Sequence, residues 1–297
     1  MMQEIAPGVY VELDYHGANV GFVATNEGAV AVDTPILPEQ AKHWRRQIER
    51  VTGKPLLYMI NTDHHRGHIM GNQYFLPAPI VAHERAWRDM RGYGNNFKQR
   101  VIDSFKREPD LQAQFSLSAM RIIRPQITFS KQLTLRKGGR EIRLIHVGGH
   151  TMATSIVWLP VERVVFVGDT IWIEEHPYMA QSSAKDWMAG LELVQRLDPK
   201  VIIAGHGPLC GLAEVDYMMS FLRHMQERVW DFYQRGVDKH ETGASLVEDL
   251  RTWFHVPQNR RSKIHSQIKS GVGRTYEEFK KAEKAAKAQR GKRKKVA

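Results

Sequence analysis

Alternating and periodic apolar positions divide this chain into strands and helices before any side-chain chemistry is considered. Val9, Val11 and Leu13 alternate, and apolar runs at 19–25 and 28–33 are separated by Asn26-Glu27, a turn signal. Residues 8–34 are therefore predicted to form antiparallel strands. Ala41, Trp44, Ile48 and Val51 fall three and four apart, which predicts a helix over 38–50 broken by Gly53-Lys54-Pro55. A short buried strand at 56–60 then delivers a loop at 61–68 from its C-terminal end, where a strand can fix a functional loop. Another short strand follows at 80–82, and 84–120 reads as mostly helical with a hinge at Gly92-Tyr93-Gly94-Asn95-Asn96. Runs at 127–135 and 141–147 pair across Lys137-Gly138-Gly139, and 155–159 with 163–167 form a second hairpin. A helix at 184–197, a buried strand at 201–204, and helices at 212–235, 243–254 and 260–289 complete the chain, without internal repeat. Strands and helix followed by strands and helix predict an α/β (layered α+β) fold: two mixed β-sheets flanked by helices, a four-layer αββα sandwich.

Composition narrows this only slightly. The 297 residues, 42% of them hydrophobic, suffice for one large domain or two small ones. No apolar run is long enough to span a bilayer, and the start lacks a basic segment followed by an apolar one. A single cysteine, Cys210, excludes an internal disulfide, so the expected compartment is the cytoplasm. The net charge of +11 suggests nucleic acid until its distribution is read. Residues 280–297 hold nine Lys/Arg and one acid, so +8 sits there and the other 279 residues carry +3. Such a run is most simply a solvated tail; binding to RNA, DNA or an acidic surface is the rarer use.

Candidate chemistry concentrates where predicted strands end. Asn61-Thr62-Asp63-His64-His65-Arg66-Gly67-His68 places Asp63, His65 and His68 at i, i+2 and i+5, a spacing that a tight loop can aim at one point. His150, Asp169 and His206 each sit beside glycine after a predicted strand. Imidazole and carboxylate donors suit zinc or iron. A lone histidine beside glycine is more often structural; the ordered set is what points to metal. His64 is a candidate pocket-lining residue, and Arg66 a candidate for an anionic group or a solvated surface cation. Tyr178, with His16 and His176, is placed at the pocket by its loop position. His146 reads as packing and Cys210 as structural.

In this order, the motifs resemble those of the metallo-β-lactamase superfamily: His-x-His-x-Asp-His, then Gly-His-Thr, a Gly-Asp and Gly-His-Gly. The resemblance spans about residues 8–210, and three motifs stand unchanged as Gly149-His150-Thr151, Gly168-Asp169 and Gly205-His206-Gly207. Asp33 matches the family's acidic strand end. The first motif departs, with Asp63 for the first histidine and Gly67 for the aspartate. The resemblance implies a zinc site of one or two ions, with iron or manganese as alternatives. Asp63, His65 and His150 would hold one ion, His68 and His206 the other, and Asp169 would bridge. Gly67 removes a ligand and the group that orients the attacking water, leaving Asp63 or Asp169 for that catalytic role.

The implied function is a hydrolase that turns a metal-bound hydroxide on a small-molecule lactam, lactone or ester-like bond. The alternative is a catalytically impaired or non-enzymatic member, binding nucleic acid through its basic tail. Nuclease relatives carry a further domain, for which the region after Pro208 is too short. The resemblance divides the chain into a metallo-β-lactamase-like domain at 1–210, a helical extension packed on it at 211–279, and a basic, disordered tail at 280–297. The helical third could alternatively serve a homodimer interface. Trp87, Tyr93, Phe97, Phe105 and Phe115 lie where relatives place substrate-covering elements, though helix packing is the plainer use of most. No carbohydrate, nucleotide or thioester signature is present.

Overall fold

A computed structural model describes residues 1–105, 117–173 and 175–293. Thirteen strands form two sheets among these residues. The first contains β1 (Gln3–Ala6), β2 (Val9–Glu12), β3 (Val20–Ala24), β4 (Ala29–Val32), β5 (Leu56–Ile60), β6 (Ile80–His83) and β7 (Ile127–Phe129), in that order. Neighbours are antiparallel as far as β4 and parallel from β4 to β7. The second sheet contains β8 (Gln132–Lys137), β9 (Arg140–His146), β10 (Ser155–Leu159), β11 (Val164–Trp172), β12 (Val201–His206) and β13 (Leu209–Cys210). Its order is β13-β12-β11-β10-β9-β8, with only the β11–β12 pair parallel.

The two sheets face each other. Val11, Val30, Ile60 and Val81 from the first pack with Leu144, Val157, Phe166 and Ile203 from the second. Burial of each such side chain contributes ~1.5–3 kcal/mol. On the outer face of the first sheet lies α1 (Pro38–Thr52), whose Ala41, Trp44 and Ile48 meet Phe22 and Ala31. Proline in its first turn and a left-handed Gly53 after its last, donating to Glu49 O, set its limits. Short helices α2 (Arg66–Ile69), α3 (Glu84–Asp89) and α4 (Asn95–Phe105) follow. The outer face of the second sheet is covered by α5 (Ala184–Leu197), α6 (Leu212–Gln234), α7 (Lys239–Arg251) and α8 (Arg261–Arg293). Trp187, Leu191, Val215, Leu222, Leu246 and Ile268 join Ile156, Val165 and Ile202 in that core. The order helix, sheet, sheet, helix is the predicted four-layer sandwich.

Local differences have local causes. The apolar run at 127–135 divides at Ser130-Lys131: β7 continues the first sheet, and β8 makes the hairpin with β9. His83 donates to Ser130 O, and His146 N–H donates to Lys131 O, which pins the crossing between sheets. β1, a partly exposed edge strand, carries too little alternation to be read from sequence. The predicted helix at 84–120 is α3 and α4 with a short 3-10 turn between; 106–116, including Phe115, lies outside the described residues. At the C-terminus α8 runs on through the basic segment to Arg293, with 280–289 exposed. No helix among the described residues is long and apolar enough to cross a membrane.

Candidate metal centre

One rim of the sandwich collects the ends of β4, β5, β9, β11 and β12, and with them Asp33, the 61–68 loop, His150, Asp169 and His206. Asp33 anchors the loop: its Oδ1 accepts Thr62 N–H at 2.8 Å and its Oδ2 accepts the Thr62 hydroxyl at 2.6 Å. Asn61 Nδ2 donates to His68 O at 2.8 Å, closing the turn. His68 is thereby buried with Nδ1 3.0 Å from Asp33 Oδ2, which leaves Nε2 facing Asp169. A carboxylate behind an imidazole in this way fixes its tautomer and orientation.

Asp169 is the hub. Its Oδ1 lies 3.4 Å from His68 Nε2 and 3.3 Å from His206 Nε2, and its Oδ2 lies 3.2 Å from His150 Nε2. His150 Nε2 in turn lies 3.1 Å from His65 Nδ1. Asp169 Oδ1 and His68 Nε2 are both buried and lack a hydrogen-bond partner among the described residues. Donor atoms of His65, His150 and Asp169 all fall within 4.8 Å of one another. The close approach depends on glycine, because a Cβ on Gly205 would stand 2.2 Å from Asp169 Oδ1. Unpaired buried donors and acceptors are costly unless something compensates them. Imidazole nitrogens converging on a carboxylate fit a divalent cation.

Electrostatic coupling ties the carboxylates and imidazoles of the centre together. Burial alone would push the Asp169 carboxyl up, but His68, His206 and His150 outweigh it and hold the group well below the usual range. His68 is opposed by burial, yet Asp33 and Asp169 raise it well above an ordinary imidazole. Burial is the main cause that lowers His65 to about 4, against the pull of Asp63, so its ring is neutral near pH 7, as a metal ligand must be.

Asp63 is placed differently. Its Oδ1 accepts the backbone N–H groups of His64 and His65 at 2.7 and 3.0 Å. Its Oδ2 accepts the hydroxyls of Thr151 and Thr154, both at 2.7 Å. The carboxylate is fully buried, and although burial opposes its charge, neighbouring imidazoles led by His65 hold it ionised. Asp63 forms a second group of close donor atoms with His64 and His65, and His65 is common to that group and to the one around Asp169. Gly67 is also accounted for by packing: a Cβ there would stand 3.2 Å from Ala18 N, so an aspartate would press on the chain at Gly17-Ala18.

The remaining predicted residues scatter. His64 is buried, 3.3 Å from Asp63 Oδ1, with its ring centroid 6.2 Å from that of Tyr93. Arg66 donates to Ser104 on α4. Tyr178 lies over the centre, its ring 5.5 Å from His65 and 6.1 Å from His150. His16 turns toward Phe105 and Gln40, and His176 is buried against Phe221 and Phe254. His146 stacks on His83 with centroids 3.7 Å apart, a packing role. Burial pushes the Cys210 thiol up to about 12, which suits a structural cysteine. Gln181, 3.3 Å from His65 Nε2, and Trp172, stacked on His206 at 3.9 Å, carry no local signal in the sequence. Thr154 could have been found only by knowing what Asp63 binds.

The chain is similar to known proteins in sequence and in fold. The family profile described as metallo-beta-lactamase superfamily matches residues 13–206. The chain is 20% identical to a type 2 metallo-beta-lactamase of Elizabethkingia meningoseptica over 240 residues, covering 76% of this chain and 86% of that protein. It is 22% identical to a linear primary-alkylsulfatase of Pseudomonas sp. (strain ATCC 19151), covering 77% of this chain but only 49% of the sulfatase. Among solved structures, a metallo-beta-lactamase from Pontibacter korlensis superposes with a TM-score of 0.61 at 20% identity, over 75% of this chain and 98% of that one. A double-mutant sec-alkyl sulfatase superposes with a TM-score of 0.69 at 13% identity, over 93% of this chain and 49% of that one.

Proposed function

The chain belongs to the metallo-β-lactamase superfamily, and from that premise we propose that it is a metal-dependent hydrolase of a small molecule. His65, His68, His150, Asp169 and His206 would hold the metal, zinc in one or two equivalents. The observation that carries this reading is the convergence of these donors on Asp169, with Asp169 Oδ1 and His68 Nε2 buried and unpartnered among the described residues. When bound, a divalent ion supplies Lewis acidity, which lowers the pKa of water and polarises the bond under attack.

The chain's own residues divide the remaining work. Asp33 keeps His68 Nε2 turned inward. Asp63 ties the 61–68 loop to the 150–154 loop and so spaces His65 from His150. With Gly67 lacking a side chain and Asp63 saturated, Asp169 is the carboxylate left to orient a water. Substrate approaches from the side of His65 and His206, whose side chains are 20% and 24% exposed while His150 and His68 are at 0% and 1%. Tyr178, its ring 5.5 Å from His65, is a candidate substrate contact on that open side, and Arg66 a candidate for an anionic group. The bond is a lactam, lactone or ester-like linkage, with the sulfate ester named for one relative included.

Elemental analysis of the reconstituted protein, paired with turnover of a lactam, a lactone, a carboxylic ester and an alkyl sulfate, tests this. At least one bound equivalent is expected, with turnover of one class lost to a chelator and restored by metal. No bound metal, or turnover indifferent to the chelator, overturns it.

A further inference from the structure

Beside His206 the chain forms a second feature that the metal centre does not use. A cavity of about 250 Å³ is lined by Trp172, Ile173, Glu214, Tyr217, Met218, Trp253, Phe254 and His255. Its walls come from three places: the end of β11, the first turns of α6, and the segment after α7. Tyr217 packs edge-on to Phe254 with centroids 5.8 Å apart, and its hydroxyl donates to Trp253 O. This fixes three aromatic walls relative to one another. Trp172 belongs to both features, since its ring also stacks on His206 at 3.9 Å. Its indole N–H is buried without a partner among the described residues. Tyr217 at the rim is 47% exposed, an apolar ring left open to incoming molecules.

Together these observations set the class of ligand. Glu214, the one carboxylate in the lining, accepts Gly211 N–H at 2.8 Å and disfavours an anion. Aromatic walls favour a planar apolar group, which gains edge and face contacts beyond its buried area. An apolar cavity of about 150 Å³ holds benzene, so this one has room for two fused rings. We propose that the cavity is a subsite for an aromatic group of the substrate, assembled jointly by the rim of the second sheet and the C-terminal helices. The proposal rests on the hydrolase reading for its location, since Trp172, a wall of the cavity, also stacks on His206 of the proposed metal set.

Two measurements on the full-length, metal-loaded protein separate the two claims. Calorimetric titration with 2-naphthylmethanol, a neutral alcohol, reads the cavity without any turnover. Saturable binding is expected, weakened roughly tenfold in Tyr217→Ala and in Phe254→Leu. Because Tyr217 is exposed, its variant keeps the core intact. Binding that does not saturate, or that both variants retain, overturns the subsite. The second measurement compares kcat/KM for naphthyl-bearing and ethyl-bearing versions of whichever substrate class turns over. Their ratio is expected to fall roughly tenfold in the same variants, through KM rather than kcat; an unchanged ratio counts against the subsite. Naphthyl binding without turnover of any class would retain the cavity as a ligand site and remove the hydrolase reading.

Discussion

Asp63 and Asp169 are two fully buried, ionised aspartates on the same rim, and they differ in what surrounds them. Asp63 accepts two backbone N–H groups and two threonine hydroxyls, so both oxygens are satisfied from within the chain. Asp169 faces three imidazole nitrogens and keeps an oxygen without a hydrogen-bond donor among the described residues. The lesson is that burial and charge alone do not identify a metal ligand. On the proposed reading, a saturated carboxylate stabilises the loops it joins, and an unsatisfied one, set among other unsatisfied donors, would take the cation.

The strongest way to break this comparison is to truncate each carboxylate in turn. Asp169→Ala should weaken metal binding by roughly a thousandfold, beyond the ten- to hundredfold expected for an outer partner, and abolish turnover. Asp63→Ala should instead lower the unfolding free energy of the metal-free protein by about 3 kcal/mol, because it strands buried donors. Metal titration and denaturant unfolding of both variants read the difference. An Asp63→Ala protein that unfolds like the wild type yet loses its metal would make Asp63 a ligand and erase the distinction.

A smaller effect sharpens the Asp169 side. Asp33→Asn replaces the acceptor behind His68 with a group that can donate, so His68 Nε2 is no longer held toward Asp169. Metal affinity should drop ten- to hundredfold by calorimetry while the fold persists. Unchanged affinity would show that His68 is not part of the metal set.

The smallest effect concerns an isolated unsatisfied group. His176 Nε2 is buried without a partner among the described residues, and its ring packs edge-on to Phe221 and Phe254. Burial lowers this imidazole from 6.5 to about 4, so below pH 6.5 the unfolded chain binds a proton that the folded one refuses. Its contribution is fully present above the unfolded value and is lost as the pH falls. Between pH 6.5 and about 5.5 the cost is roughly 1 kcal/mol. Unfolding of His176→Leu at both pH values should lack this increment, with metal content unchanged. Loss of metal in that variant would contradict the view that a lone orphan does not make a site.

Much of the framework was legible in the chain. Alternation, short apolar runs and three-four spacing located β2 to β6, α1, α5 and the two hairpin pairs, because a strand or helix repeats apolar residues on each face that it buries. The motifs located every donor now clustered on the rim. Legibility failed where a residue's partner is remote in sequence. The run at 127–135 looks continuous, yet its halves serve different sheets, and only Ser130 and Lys131, bonded to His83 and His146, decide the break.

The sequence by itself determined the layered fold and the cast of histidines and aspartates, since both follow from periodicity and short-range order along the chain. Tertiary structure alone decided how those residues divide. Thr151 and Thr154, 88 and 91 positions from Asp63, close around its carboxylate, while Gly205 opens the space in which Asp169 stays exposed to imidazoles. Whether a buried carboxylate is satisfied depends on donors brought from distant strands, and no local pattern encodes that. The same holds for the aromatic cavity, whose walls meet only after three separate segments have packed.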